Sequence, residues 1–171
     1  MIITGVIDGP LSEPLGTPRA VELYVVKDIP DLNIFQLQVA LNGGQPSSSI
    51  NFLPSRSATA GDFIYVSFET ADFNTFFGFD ANYTNNFLII DGDDAIILLQ
   101  GGVSLDIFGV VGVSGNGQPW EYMSSWGYRK IYSSAAFNLS DWEFPGPGAL
   151  DGASTNTDAS APFPVGSFCC K

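Results

Sequence analysis

Asp94-Ala95-Ile96-Ile97-Leu98-Leu99-Gln100, then Gly101-Gly102, then Val103-Ser104-Leu105-Asp106-Ile107-Phe108-Gly109 is the stretch from which the fold is read. Two short apolar runs flank a glycine pair. The two-residue turn that matches the twist of paired strands needs positive φ at both central positions, and glycine reaches it without a Cβ clash. The spacing therefore predicts a β-hairpin. Its first arm is apolar on both faces, as in a central strand covered on both sides. The second arm alternates, which predicts Val103, Leu105 and Ile107 facing inward.

Working outward, the same grammar repeats. Ile2 to Ile7 is apolar and ends at Asp8-Gly9-Pro10; Ala20 to Lys27 alternates, with Val21, Leu23 and Val25 on one face and Glu22 and Tyr24 on the other. Ile34 to Leu41 and Ser49 to Leu53 read as weaker strands, and Phe63 to Phe68 as a strong one after the Ala60-Gly61-Asp62 turn. Phe73, Phe76 and Phe77 recur at helical spacing before Gly78, so Ala71 to Gly78 is the one expected helix, a lid on the core. An aromatic-rich region follows, with Trp120, Tyr122, Trp126 and Tyr128, and Phe137 to Phe144 carries Trp142. From Pro145 the chain turns to Pro, Gly, Ser, Ala and Asp without period, the composition of a tail or linker. The expectation is an all-β chain: an antiparallel β-sandwich of roughly eight strands over residues 1–144, one short helix, and a Pro/Gly/Ser-rich C-terminal tail over 145–171.

Composition bounds the chemistry. A chain of 171 residues suits one domain, and 45% hydrophobic residues with 14 Phe against 14% charged residues exclude a disordered body. No apolar run approaches the roughly 20 residues of a membrane-spanning helix. Six Lys+Arg against 18 Asp+Glu give a net charge of −12, which repels phosphate backbones and anionic membranes. Nucleic acid and membrane insertion are therefore not expected. Histidine is absent, so Ser-His-Asp and Cys-His nucleophiles and His-ligated zinc are excluded. Carboxylate, Lys or Tyr chemistry would remain.

Cys169 and Cys170 are adjacent near the C-terminus, where they cannot staple a core; they read as incidental thiols or as an intermolecular disulfide. Met1-Ile2-Ile3-Thr4-Gly5 runs straight into a strand without a basic leader, as in a cytosolic protein or a mature domain. The acidic balance and the Ser/Thr/Asn/Gly loops fit an extracellular setting. Asn82-Tyr83-Thr84 and Asn138-Leu139-Ser140 have the form of glycosylation sequons.

Several segments taken together resemble one family. Ile7-Asp8-Gly9-Pro10-Leu11, Val21-Glu22-Leu23-Tyr24-Val25, Ala60-Gly61-Asp62-Phe63-Ile64, Gly92-Asp93-Asp94-Ala95-Ile96-Ile97-Leu98, Val103 to Gly109, Trp126-Gly127-Tyr128-Arg129-Lys130 and Trp142-Glu143-Phe144 occur in the order found in lamin-tail-domain-like modules of bacterial and algal secreted proteins. The resemblance spans about residues 1–150. It implies an immunoglobulin-like sandwich and a non-catalytic accessory or interaction role. It brings no active-site residues, and the cysteine tail lies outside it.

Three groups of residues are candidate sites. Asp91, Asp93 and Asp94 put hard oxygen ligands on one turn, as calcium requires, though without EF-hand spacing; the alternative is a turn whose carboxylates cap backbone N–H groups. Trp120, Tyr122, Trp126, Tyr128 and Arg129 would make an aromatic platform for a sugar ring or protein partner. Alternatively they fill the sandwich edge, with Arg129 paired to a carboxylate such as Asp106 or stacked on a ring. Glu22 and Asp106 would suit glycoside hydrolysis if about 5 to 9 Å apart, but their alternation puts them on solvated outer faces. The expected function is a non-enzymatic extracellular module for adhesion, assembly or accessory contact with a protein or glycan surface. Self-association through Ser160 to Phe168 is a specific variant. A carbohydrate-binding module and a carboxylate-dependent hydrolase are the alternatives.

Overall fold

The structure is a computed structural model and describes residues 1–12, 14, 16–47 and 51–169. Ten strands form two sheets: β1 (Ile2–Leu11), β2 (Thr17–Tyr24), β3 (Phe35–Ala40), β4 (Asn51–Phe52), β5 (Phe63–Ser67), β6 (Tyr83–Thr84), β7 (Ala95–Gln100), β8 (Val103–Phe108), β9 (Ser125–Arg129) and β10 (Trp142–Glu143). The six-stranded sheet runs β10-β9-β1-β2-β5-β6 and the four-stranded sheet β4-β3-β7-β8. All pairings are antiparallel except β5 with β6. The start of the expected Ser49 to Leu53 strand lies outside the described residues; its end forms β4.

The hairpin is β7 and β8, and Gly101 and Gly102 have φ of 58° and 80° as the turn demands. One core joins the sheets. Ile3, Val6, Val21, Leu23, Ile64 and Val66 from the larger sheet meet Phe35, Leu37, Val39, Ile96, Leu98 and Phe108 from the smaller. The alternation of Ala20 to Lys27 is observed, with Val21, Leu23 and Val25 in this core.

The phase of β8 follows the expected one only at Leu105, which packs against the inter-sheet core, and not at Val103 or Ile107. A bulge where Leu98 gives way to Leu99 shifts the pairing, so Asp106 and Phe108 are buried while Val103 is 70% exposed. What pulls Asp106 inward is the pair of donors waiting there, described below.

A second cluster covers the outer face of the six-stranded sheet. The expected helix is α1 (Ala71–Phe77), closed by Gly78 at φ 77°. It buries Phe73 and Phe76 with Ile7, Ala20, Tyr65, Trp126 and Tyr128 of the sheet. The rest of the cover comes from the C-terminal stretch expected to be a tail. Leu150, Ala153, Phe163 and Phe168 are buried in the same cluster. Those four apolar residues are spaced irregularly through turns, so no period announces them. They anchor the stretch because a sheet with apolar residues on both faces needs cover on both.

Candidate functional site

Glu22 projects from the middle of β2 onto the outer face of the six-stranded sheet and is fully buried there. Thr4 Oγ1 donates to its Oε1 at 2.7 Å, and Tyr65 OH to its Oε2 at 2.8 Å. The third donor comes from the C-terminal segment: Gly166 N to Oε2 at 2.9 Å. Burial pushes the Glu22 carboxyl above its ordinary range, and these hydrogen bonds with that of Tyr128 draw it back only in part. Burial, and after it the Glu22 carboxylate, raises both phenols, Tyr128 to about 12.

The segment is held by its backbone as much as by its rings. Tyr128 OH accepts from Ser167 N at 3.0 Å and Phe168 N at 2.7 Å, and Trp126 Nε1 donates to Ala161 O at 2.8 Å. The Phe163 ring packs edge-on to Tyr128 at 5.2 Å and to Trp126 at 6.0 Å. It sits over Gly5, where any Cβ would overlap it. Phe168 meets Tyr24 at 5.2 Å. This is a notched, hydrogen-bonding groove with a peptide in it.

Asp106 lies on the other side of that sheet, also fully buried. Its Oδ1 and Oδ2 accept from Arg129 Nη2 at 2.9 and 3.0 Å, and Oδ2 also accepts from Ile3 N at 2.8 Å. The Arg129 guanidinium stacks over Trp142 at 4.6 Å and Tyr132 at 5.0 Å. Both arrangements expected of Arg129, the carboxylate and the ring, are thus present. Burial pushes the Asp106 carboxyl up to about 6 against the pull of Arg129 and of the backbone donors.

Two expectations need correction. Glu22 and Asp106 are neither solvated nor a pair: the sheet stands between them, and each is enclosed by its own donors. Nor do Trp120, Tyr122, Trp126, Tyr128 and Arg129 form a platform open to a partner, since each is 5% exposed or less. Trp120 and Tyr122 pack edge-on around Phe108 in the inter-sheet core, whereas Trp126 and Tyr128 face the C-terminal segment. Trp126 and Tyr128 share the outer face of β9, Arg129 points from its inner face to Asp106, and Trp120 and Tyr122 precede the strand and turn into the inter-sheet core, so sequence proximity does not gather the five.

The acidic turn is assembled as the sequence suggested. Carboxylate oxygens of Asp91, Asp93 and Asp94 lie within 4.8 Å of one another. Gly92, at φ 98°, sits where a Cβ would overlap the backbone of Met123, and its carbonyl accepts from Tyr122 N at 2.7 Å. Asp94 caps two backbone amides, Asn42 N to Oδ1 at 2.7 Å and Asp91 N to Oδ2 at 3.0 Å. Asp93 Oδ2 accepts from Ser114 Oγ. Burial raises Asp94 to about 7, and burial raises Asp91 as well. Asp91 faces a cleft of about 620 Å³ whose other charged lining residues are Asp8, Arg19 and Asp151. This cleft gave no sequence signal, because its walls come from five separate loops and strand ends.

Cys169 is exposed immediately after the last anchored residue, Phe168, and Cys170 lies outside the described residues. Among the described residues no helix is long and apolar enough to cross a membrane. Compared with protein-family models, with curated proteins and with solved structures, the chain matches none.

Proposed function

We propose that this chain is a non-catalytic interaction module, an extracellular β-sandwich of the immunoglobulin-like, lamin-tail-domain-like kind, and that it associates with copies of itself through its C-terminal segment. The observation that carries the reading is the groove on the outer face of the six-stranded sheet. It holds residues 161–168 through backbone-directed hydrogen bonds and two buried rings. That combination of main-chain capture and side-chain pockets is how proteins recognise extended peptides. The segment Ser160 to Phe168 carries no charge, so a neighbour's copy entering the groove adds no repulsion to that already set by −12 per chain. The two carboxylates that could have done acid–base work, Glu22 and Asp106, are fully buried and enclosed by protein donors. That supports binding over turnover.

Sedimentation of the full chain from micromolar to several hundred micromolar, with and without reductant, tests the reading. A concentration-dependent dimer or larger species that Phe163→Ala weakens is expected. A monomer throughout would overturn it, and turnover of a glycoside library would replace it with the hydrolase reading.

A further inference from the structure

The turn at Asp91–Asp94 contains an arrangement that hydrogen bonding within the protein leaves incomplete. The Asp93 side chain is only 6% exposed, and its Oδ1 is fully buried with no hydrogen-bond partner among the described residues. An ionised carboxylate oxygen in that position is costly unless a donor or a cation meets it. No backbone amide, hydroxyl or guanidinium among the described residues meets it, and the group beside it is another carboxyl, that of Asp91. Asp91 and Asp94 place two more carboxylate oxygens within 4.8 Å, and the cleft beside Asp91 adds Asp8 and Asp151 against the single cation Arg19. The Arg19 Nε is engaged with Gly16 O at 3.0 Å.

We infer that Asp91, Asp93 and Asp94 bind one hard divalent cation of calcium size, with Asp93 Oδ1 as the innermost ligand. The separations suit it: oxygens on opposite sides of an ion bonded at about 2.4 Å stand about 4.8 Å apart. Both Asp94 oxygens already accept one backbone N–H each, which fixes them and leaves a lone pair apiece. The turn is braced by protein on its inner side. Gly92 O and Asp93 O are taken by Tyr122 N and Gly115 N, so the ligands are side chains and the remaining positions go to water from the cleft. Three carboxylates on a turn of irregular geometry favour calcium over magnesium, which demands a near-ideal octahedron. The inference stands apart from self-association, since neither the groove nor residues 161–168 contribute to the turn.

Calorimetric titration of the full chain with CaCl2, after chelation and dialysis, gives the affinity. Terbium places the ion, because the Trp120 ring packs beside the Asp93 backbone at Gly115 and will sensitise its emission. The expected result is one saturable site, terbium emission displaced by calcium, and affinity lowered about tenfold to hundredfold in Asp93→Asn and Asp91→Asn. The distant Asp158→Asn leaves it unchanged. Should Asp93→Asn fail to fold, the exposed Asp91→Asn decides alone. No saturable isotherm, or the same affinity in Asp91→Asn as in the parent chain, overturns the inference.

Discussion

Asp106 and Asp93 are both buried carboxylates, and the protein treats them in opposite ways. Asp106 sits between the sheets with a guanidinium on both oxygens and a backbone N–H from β1. Asp93 sits at the mouth of β7 with one hydroxyl from Ser114, an orphaned oxygen and two like charges beside it. The first is closed by groups within the fold. The second keeps one oxygen without a donor among the described residues, beside Asp91, which lines a cleft. Burial alone, then, does not mark a functional carboxylate; what the protein leaves unsatisfied does.

The largest effect should come from breaking the closed site. Arg129→Met removes the counter-charge and leaves Asp106 buried alone, which costs about 3–5 kcal/mol in denaturant unfolding. Replacing both residues together, Arg129→Met with Asp106→Leu, should recover most of that loss. If the single and double substitutions cost the same, the pair is not the closed unit described here.

Next in size is Phe163→Ala. The ring is buried on the outer sheet face, and its loss costs about 3 kcal/mol by the usual scale for a buried phenylalanine. Gly5→Ala should be costly only while the ring is present, because its Cβ enters the space the ring fills. A double-mutant cycle measures this, and additivity would mean that the segment does not seat over Gly5.

How much of this was legible follows from where each signal lies. The hairpin, the alternation of β2 and the Phe73/Phe76/Phe77 helix are local: period and turn glycines sit within a dozen residues and survive folding unchanged. The Asp91–Asp94 cluster was visible for the same reason, being a single turn. The burial of Glu22 was not, since its cover arrives from Gly166, far along the chain and without periodicity. The phase of β8 was misread because a bulge shifts the register by one step and because Asp106 answers to Arg129, supplied by another strand. Sequence pattern counts apolar residues but does not see a charged pair formed across sheets.

Both Glu22 and Asp106 are raised by burial, which gives the pH dependence an unusual sign. Folded Asp106 keeps its proton up to about pH 6, whereas its ordinary value is 3.8. Stability from this group is complete below that lower value and is lost as pH rises through the upper one. Unfolding measured in chelator should therefore show the protein more stable at pH 5 than at pH 8, by on the order of 1–3 kcal/mol. Glu22→Gln should lessen the slope without abolishing it, since Asp106 and Asp94 titrate in the same window. A stability that falls on acidification across this window would contradict the described burial of both groups.

The smallest effect sharpens the comparison most. Asp91 is the exposed member of its cluster, so Asp91→Asn removes one of three like charges without opening a cavity. In chelator the change should be neutral or stabilising by a few tenths of a kcal/mol, the scale of exposed charge interactions. In excess calcium the same substitution should be destabilising relative to the parent chain, because it weakens a ligand that binds only the folded state. Asp106→Asn admits no such reversal: it loosens the hold on Arg129 in either solution and is destabilising in both. A sign that changes with calcium at residue 91 and stays fixed at residue 106 separates a carboxylate awaiting an outside partner from one whose partner is built in. The same sign at both positions in both solutions would make the acidic turn a second structural cap.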